Sequence, residues 1–300
     1  MLRSLPLRSF LFTFLSSILL LSACNKFEGE QTVPAYLHVD TILLTTDYFT
    51  QGSNTHNFTD MWVYVNDQLI GAFELPATIP VLARGKNKLE IRPGIKLNGI
   101  SGTRVPNPFY KPYTINDFTF IEDSVLTVYP TTSYYSTTNF AWTEDFENTS
   151  ISLAKTSQSD TTINKTSPAH NPEAYLSNYS SYSGVVHLEG DVTNFQIASF
   201  LGYTLPGLGA PVVLEVDYKC DRAFGIGMFA KESGTIINIP LIVVNPSDTW
   251  KKIYINLGPN ITEHNTASEF KVYFESELGT DAQARFLFDN IKLLYRNNLK

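Results

Sequence analysis

The residues that could carry chemistry in this chain are few and scattered. There are two cysteines, Cys24 and Cys220, and five histidines, His38, His56, His170, His187 and His264. The histidines show no H-E-x-x-H pattern and no paired ligand spacing, so no zinc-hydrolase signature is present. A serine nucleophile on a sharp glycine turn calls for G-x-S-x-G, which is absent. A glycosidase needs two carboxylates facing across a cleft, and among 29 Asp plus Glu no pair stands out. No P-loop or dinucleotide fingerprint follows any strand. Aromatic residues are more informative. Sugar binding uses exposed rings flanked by Asn, Asp or Arg that hydrogen-bond hydroxyls. The richest such stretch is 175–183 (YLSNYSSYS). Tyr175, Tyr179, Tyr182, Tyr203 and Phe224 fall in loops or at strand ends, where a ring can be presented. Trp142 and Trp250 lie on strand-like segments and read as core. Binding is therefore expected, and an enzyme is not.

Composition bounds the partners. The chain has 300 residues, 43% of them hydrophobic and 17% charged, which excludes disorder and fibrous repeats. A net charge of −7 argues against nucleic acid. Two cysteines permit at most one disulfide and exclude both a disulfide scaffold and a cysteine-built zinc site.

The N-terminus reads as an address. Arg3 and Arg8 flank the start of an apolar run at 10–21 (FLFTFLSSILLL). That run has the length of a signal-peptide core and falls short of the about 20 residues of a transmembrane helix. Leu21-Ser22-Ala23-Cys24 follows it and resembles the bacterial lipobox. The resemblance implies that residues 1–23 are a removable signal peptide and that Cys24 becomes the acylated, palmitate-bearing first residue. Several acyl chains on one cysteine suffice for stable membrane attachment. Asn25 stands where an Asp would resemble an inner-membrane retention signal, which favours the outer membrane, with the periplasmic or surface face open. Residues 25–30 (NKFEGE) resemble the acidic export signals of Bacteroidota surface lipoproteins. With Cys24 lipidated, Cys220 is expected as a buried free thiol.

The elements that must position these groups are strands. Residues 24–35 are polar, contain Pro34 and suit a tether. Beyond them apolar residues alternate or cluster in short runs between Gly, Pro, Asn and Asp, the pattern of an all-β protein. A first unit at 36–141 has candidate strands at 36–44, 61–65, 69–73, 79–82, 88–92 and 124–129, with a hairpin turn at Asn66-Asp67-Gln68. Residues 98–113 carry three prolines and three aromatics, and read as a recognition loop or as a loop packed down by Phe109, Tyr110 and Tyr113. A second unit at 142–300 has eight strand-like runs, at 185–189, 195–199, 212–218, 225–230, 239–244, 250–257, 270–274 and 286–294. Eight runs with short connections suit a two-sheet jelly roll. In 212–218 (VVLEVDY), Val212, Leu214, Val216 and Tyr218 face one way, Glu215 and Asp217 the other.

Two resemblances follow from these motifs. Residues 62–94, a hairpin followed by a proline-marked crossing and a turn at Gly85, resemble PEGA-type β-sandwich modules. The opening Asp145-Phe146-Glu147, the middle 248–255 (DTWKKIYI) and the closing 288–293 (FDNIKL) resemble galactose-binding-like jelly rolls, a fold shared by many carbohydrate-binding modules. The second resemblance implies that the first and last strands of the unit lie side by side, bringing Glu147 near Asp289. It further implies a structural Ca²⁺ held there by Glu147 and Asp289, with Asp145 as a third ligand; no other cofactor is implied.

The expectation is an all-β, envelope-anchored lipoprotein, a β-sandwich-like module followed by a jelly roll, that binds a glycan without catalysis. The alternative is a structural or adhesive subunit that binds envelope proteins, and behind it a glycoside hydrolase or other hydrolase.

Overall fold

The computed structural model describes residues 33–297. The signal segment, Cys24 and residues 25–32 of the tether lie outside the described residues. Among the described residues no helix is long and apolar enough to cross a membrane.

The first half runs β1 (Ala35–Val39), β2 (Leu43–Thr45), a one-turn helix α1 (Tyr48–Gln51), β3 (Asp60–Val65), β4 (Gln68–Glu74), β5 (Ala77–Val81), β6 (Gly85–Lys96), β7 (Arg104–Pro106), β8 (Tyr113–Phe120), β9 (Val125–Val128) and β10 (Thr131–Ser133). The second half runs β11 (Asn139–Glu144), β12 (Leu153–Lys155), β13 (Asn164–Thr166), β14 (Ser183–Glu189), β15 (Asn194–Ser199), β16 (Val212–Cys220), β17 (Phe224–Glu232), β18 (Thr235–Val244), β19 (Ser247–Asn256), a short helix α2 (Gly258–Glu263), β20 (Glu269–Glu277) and β21 (Gln283–Tyr295). The protein is all-β, built from sandwiched sheets.

Local chemistry sets the elements of the first half. Asn66 and Asp67 both adopt positive φ, 50° and 64°, which closes β3 and β4 with the two-residue turn that matches strand twist. The expected single strand at 36–44 is two strands. β1 joins β5 and β9, whereas β2 pairs with β10 in a separate small sheet, and Asp40 to Ile42 carry the chain between them. The loop at 98–113 is packed down: Phe109 and Tyr110 are buried, and β7 within it pairs with β6.

The second half is a jelly roll of two facing sheets. One has the order β13-β14-β21-β16-β19, with β11 also on β21; the other has the order β12-β15-β20-β17-β18. Alternation along each strand sends one set of side chains into the shared core, including Leu214, Val216, Ile226, Met228, Val272, Phe274, Phe286 and Phe288. β11 runs antiparallel beside β21, Thr143 opposite Lys292. Cys220 is free and buried, and burial pushes its thiol up to about 11.

The outer face of the six-stranded sheet is covered by the first half. Val213, Tyr254 and Leu294 project from it into the apolar core formed by Leu37, Val63, Ile91 and Phe109. Glu215, fully buried, accepts hydrogen bonds from the Tyr110 hydroxyl at 2.8 Å and the Tyr134 hydroxyl at 3.1 Å. Lys292 donates to the Ser53 carbonyl at 2.6 Å and the Tyr134 hydroxyl at 3.3 Å. Asn57 donates its backbone N–H to the Tyr254 hydroxyl at 2.9 Å and its side-chain N–H to the Lys252 carbonyl at 3.0 Å. The two halves therefore share apolar surface and a buried polar network.

Burial lowers the Lys292 ammonium to about 8, against the pull of Glu215. Between pH 8 and the ordinary lysine value the unfolded chain holds a proton that the folded chain has released. Stability from this group therefore rises with pH across that window, by roughly 3 kcal/mol in all. The Lys292→Met variant lacks this term. The stability difference between variant and wild type, read by urea unfolding at stepped pH, moves in favour of the wild type from pH 8 upward, and a difference independent of pH contradicts the assignment.

Candidate functional site

With one sheet covered, the open face of the jelly roll is the outer surface of the five-stranded sheet. Strand alternation builds it from the residues between the core positions. β15 directs Asn194, Gln196 and Ala198 to this side, β20 Lys271, Tyr273 and Glu275, and β17 Gly225, Gly227, Phe229 and Lys231; Tyr273, Gln196 and Ala198 are themselves buried, whereas Phe229, Lys271 and Glu275 keep part of their surface open. β18 adds Ile236 and Asn238. Cross-strand register aligns Gln196, Glu275 and Gly225 in one row and Ala198, Tyr273 and Gly227 in the next. Phe229 lies opposite Lys271 on one side and Asn238 on the other.

The two glycines shape this face. A Cβ at Gly227 would lie 2.1 Å from Cζ of Tyr273, so only glycine lets that ring lie across β17. Tyr273 stacks on Phe229 with ring centroids 4.6 Å apart and planes 29° apart, an arrangement worth about 0.5–1.5 kcal/mol beyond area burial. Burial, and then the charge of Glu275, raises the Tyr273 phenol to about 12, so it remains a neutral hydroxyl. Asn238 lies beside that hydroxyl but outside good hydrogen-bond geometry, leaving the oxygen buried and unpartnered.

Two hollows flank the stacked pair. One, of about 750 Å³, is lined by Asn194, Gln196, Asn238, Glu275 and Glu277. The other, of about 380 Å³, is lined by Phe229, Phe200, Ile236, Ala198, Lys231, Glu269 and Lys271. In the first, Gln196 donates to Glu275 at 2.8 Å and accepts from Thr156 at 2.7 Å, which fixes both planar groups. The Asn194 side-chain oxygen is buried without a partner. In the second, Lys231 pairs with Glu269 at 3.1 Å, so neither sign of charge dominates. The result is a shallow strip of amides and carboxylates on one side of an aromatic stack and apolar surface on the other. It suits a neutral chain molecule that is apolar on its ring faces and hydroxylated at its edges.

The residues singled out from sequence lie elsewhere. Phe224 is buried in the core, edge-on to Tyr218, Phe286 and Phe288, and presents no surface to a ligand. β17 starts one residue earlier than expected, which puts Phe224 in phase with Ile226 and Met228. Tyr203 is half-buried and stacks on Trp142, with its backbone paired to Phe270. Tyr175 meets Trp250 edge-on at 5.2 Å, Tyr179 stacks on Tyr48 at 4.9 Å, and Tyr182 lies under the Lys165 ammonium at 4.4 Å. These three tyrosines face three different partners and form no common platform.

The candidate metal ligands are hydrogen-bond acceptors. Glu147 Oε1 accepts the backbone N–H groups of Ser181 and Tyr182 at 2.7 and 2.8 Å. Asp289 Oδ2 accepts from the Ser180 and Ser183 hydroxyls at 2.8 and 3.2 Å, and Oδ1 from the Asn290 N–H at 2.7 Å. Asp145 accepts from the Tyr48 hydroxyl at 2.8 Å and from the Glu147 N–H at 3.2 Å. Asp145 and Glu147 share a cleft beside Lys292, whereas Asp289 is sealed beneath the 180–183 segment. Burial pushes the Asp289 carboxyl well above the ordinary range. N–H groups aimed at carboxylates, a cationic neighbour and a carboxyl that resists ionisation do not fit Ca²⁺, which needs six to eight oxygens. Among the described residues no group of three or more His, Cys, Asp or Glu is arranged to hold a metal ion. Glu147 and Asp289 do converge, as the jelly-roll resemblance implies, but on the loop they fasten.

The groove residues Gln196, Phe229, Tyr273 and Glu275 were not singled out from sequence. Their signal is the pair Gly225 and Gly227, two residues apart inside a strand, which marks a close approach.

No family model and no curated protein matches the chain. Among solved structures, the chain is similar to the CBM22-1 xylan-binding domain from Paenibacillus barcinonensis Xyn10C, at 14% identity and a TM-score of 0.38, over 54% of this chain and 97% of that one. It is also similar to a family 11 carbohydrate-binding module from Clostridium thermocellum in complex with a β-1,3-1,4-mixed-linked tetrasaccharide, at 13% identity and a TM-score of 0.34, over 50% of this chain and 92% of that one. A third, TmCBM61 in complex with β-1,4-galactotriose, is 13% identical with a TM-score of 0.31, over 48% of this chain and 87% of that one.

Proposed function

We propose that this chain binds a neutral glycan without catalysis, laying a run of sugar rings along the outer face of the five-stranded sheet. The observation that carries the reading is the Phe229–Tyr273 stack held flat by Gly227 between two hollows. A pyranose places its C–H face on Phe229, and its equatorial hydroxyls reach the Gln196–Glu275 pair and Asn238. Gln196 and Glu275 are already fixed by each other and by Thr156, so little side-chain freedom is lost on binding. Lys231, Lys271, Glu269 and Glu275 mix both signs along the strip, which favours an uncharged polysaccharide over a uronate or a sulfated chain.

The reading extends to location. We propose that a lipid on Cys24 holds the protein at an outer membrane, supported by Leu21-Ser22-Ala23-Cys24 after an apolar run of signal-peptide length. A polar segment between Cys24 and β1 then acts as the tether that carries the groove away from the bilayer.

Electrophoresis through gels containing xylan, mixed-linkage β-glucan or β-1,4-galactan tests the groove. At least one polymer retards the wild type, and Phe229→Ala weakens that retardation by roughly tenfold, the loss expected of one aromatic platform. Equal mobility of variant and wild type in every gel contradicts the site. The Gly227→Ala variant drives a methyl group into Tyr273 and is expected to lose about 1–3 kcal/mol of stability together with binding. Unchanged stability and retardation in that variant show that the ring does not need the glycine. Labelled fatty acid is incorporated into the wild type and lost in Cys24→Ala if the anchor is right, and label retained in the variant contradicts it.

A further inference from the structure

A third, smaller hollow opens where the two halves meet, away from the groove. It has a volume of about 260 Å³ and is walled by Asn54 and His56 from the first half, Asp217 and Lys252 from the six-stranded sheet, Trp250, and Tyr175 from the tyrosine-serine loop. Its buried polar atoms are incompletely used. Asp217 Oδ1 lies 3.0 Å from the Lys252 ammonium, whereas Asp217 Oδ2 has no partner. The Lys252 ammonium is close enough for an ion pair but too poorly aligned for a hydrogen bond, so its protons remain available. Nδ1 of His56 is also buried and unpartnered. Asp217 is 3% and Lys252 5% exposed, so bulk water does not satisfy them cheaply.

The aromatic wall is held in place by hydrogen bonds. The Trp250 indole N–H donates to the Glu173 carbonyl at 2.8 Å, and the Tyr175 N–H donates to the Ser183 hydroxyl at 2.9 Å. Their rings stand at 81° and form a corner. His56 stacks on Phe58 at 4.5 Å, and burial lowers its imidazole to about 4, so it is neutral and offers one donor and one acceptor nitrogen.

The geometry points to a second carbohydrate site, one that takes a single terminal sugar residue through a pair of adjacent hydroxyls. The unused atoms are an acceptor on Asp217, donors on Lys252 and an ambivalent nitrogen on His56. A hydroxyl both donates and accepts, so two neighbouring hydroxyls satisfy all three. An anion would face the unpaired Asp217 oxygen, and a cation would face Lys252 and the exposed Lys251, so a neutral ligand is selected. The Trp250–Tyr175 corner receives the apolar face of the ring. Asp217 and Lys252, both buried, lie at its floor, and a volume of about 260 Å³ admits one sugar ring, whereas the groove accepts the interior of a chain. This inference uses none of the groove's residues and stands or falls separately from it.

The indole N–H resonance of Trp250 in the full chain, solubilised in detergent, reads the site directly, with those of Trp62 and Trp142 as internal references. Methyl glycosides of xylose, galactose, glucose, mannose and fucose are titrated to millimolar concentration, alongside inorganic phosphate and choline. At least one glycoside is expected to shift the Trp250 resonance saturably and leave the other two in place. In Asp217→Asn and in His56→Gln that affinity falls about tenfold, the loss expected for one buried hydrogen bond. Should Asp217→Asn fail to fold because Lys252 is left unpaired, His56→Gln decides. The inference is overturned if no glycoside shifts the resonance, if phosphate or choline binds more tightly than every glycoside, or if the folded variants retain wild-type affinity. Polysaccharide retardation through Phe229 reads the groove independently, so failure of one site is distinguishable from failure of the other.

Discussion

The structure depends on one constraint: the outer face of the six-stranded sheet is not free. Glu215 sits at its centre, fully buried, with both oxygens taken by Tyr110 and Tyr134 from the first half of the chain. A lone buried carboxylate is costly, and removing one partner leaves it uncompensated. The first half must therefore stay in place for the second to keep a satisfied charge. Tyr254, Val213 and Leu294, inserted into the core of the first half, add the apolar surface that makes separation costly. A jelly roll has two outer faces, and here one is consumed by the fold. Binding across a sheet is left to the other face, where glycines, a stacked aromatic pair and planar polar groups lie together.

The junction carries chemistry of its own. Lys252 and Lys292 reach the same buried layer as Glu215 and Asp217, and two tyrosine hydroxyls complete the network. Such a layer adds little net stability, because desolvation offsets much of the Coulombic gain. Its incomplete satisfaction around Asp217 and His56 distinguishes this spot from an ordinary interface. Glu147 and Asp289 act at the neighbouring loop, where they hold residues 180–183 and thereby steady Tyr175 against Trp250.

The sheets were largely legible in the sequence, because period-two alternation in stretches such as VVLEVDY and KVYFESE encodes which side faces a core. Asn66-Asp67 likewise announced its turn. Strand β8 carries Asn116-Asp117, a pair of turn formers that masks its alternation. In the structure that pair lies where the register between β6 and β8 slips, a bulge in place of a corner. The single strand expected at 36–44 failed because nothing local says that β1 and β2 belong to different sheets. The site was less legible. Glu215 and Tyr110 are 105 residues apart, so no local pattern reveals that an acid on the non-core face of a strand is buried. Phe224 lies at a strand end, but its phase with Ile226 sends it inward. Tyr273 and Glu275 have a readable phase, but only the long-range register that sets Gly227 and Gln196 beside them makes them a site.

The most direct test of the central claim is a crystal structure of the chain with an oligosaccharide of the polymer that retards it best. The account predicts sugar rings running along the outer face of the five-stranded sheet, one stacked on Phe229, with hydroxyls bonded to Gln196, Glu275 or Asn238. An oligosaccharide seated on another surface, with Phe229 bare, contradicts it.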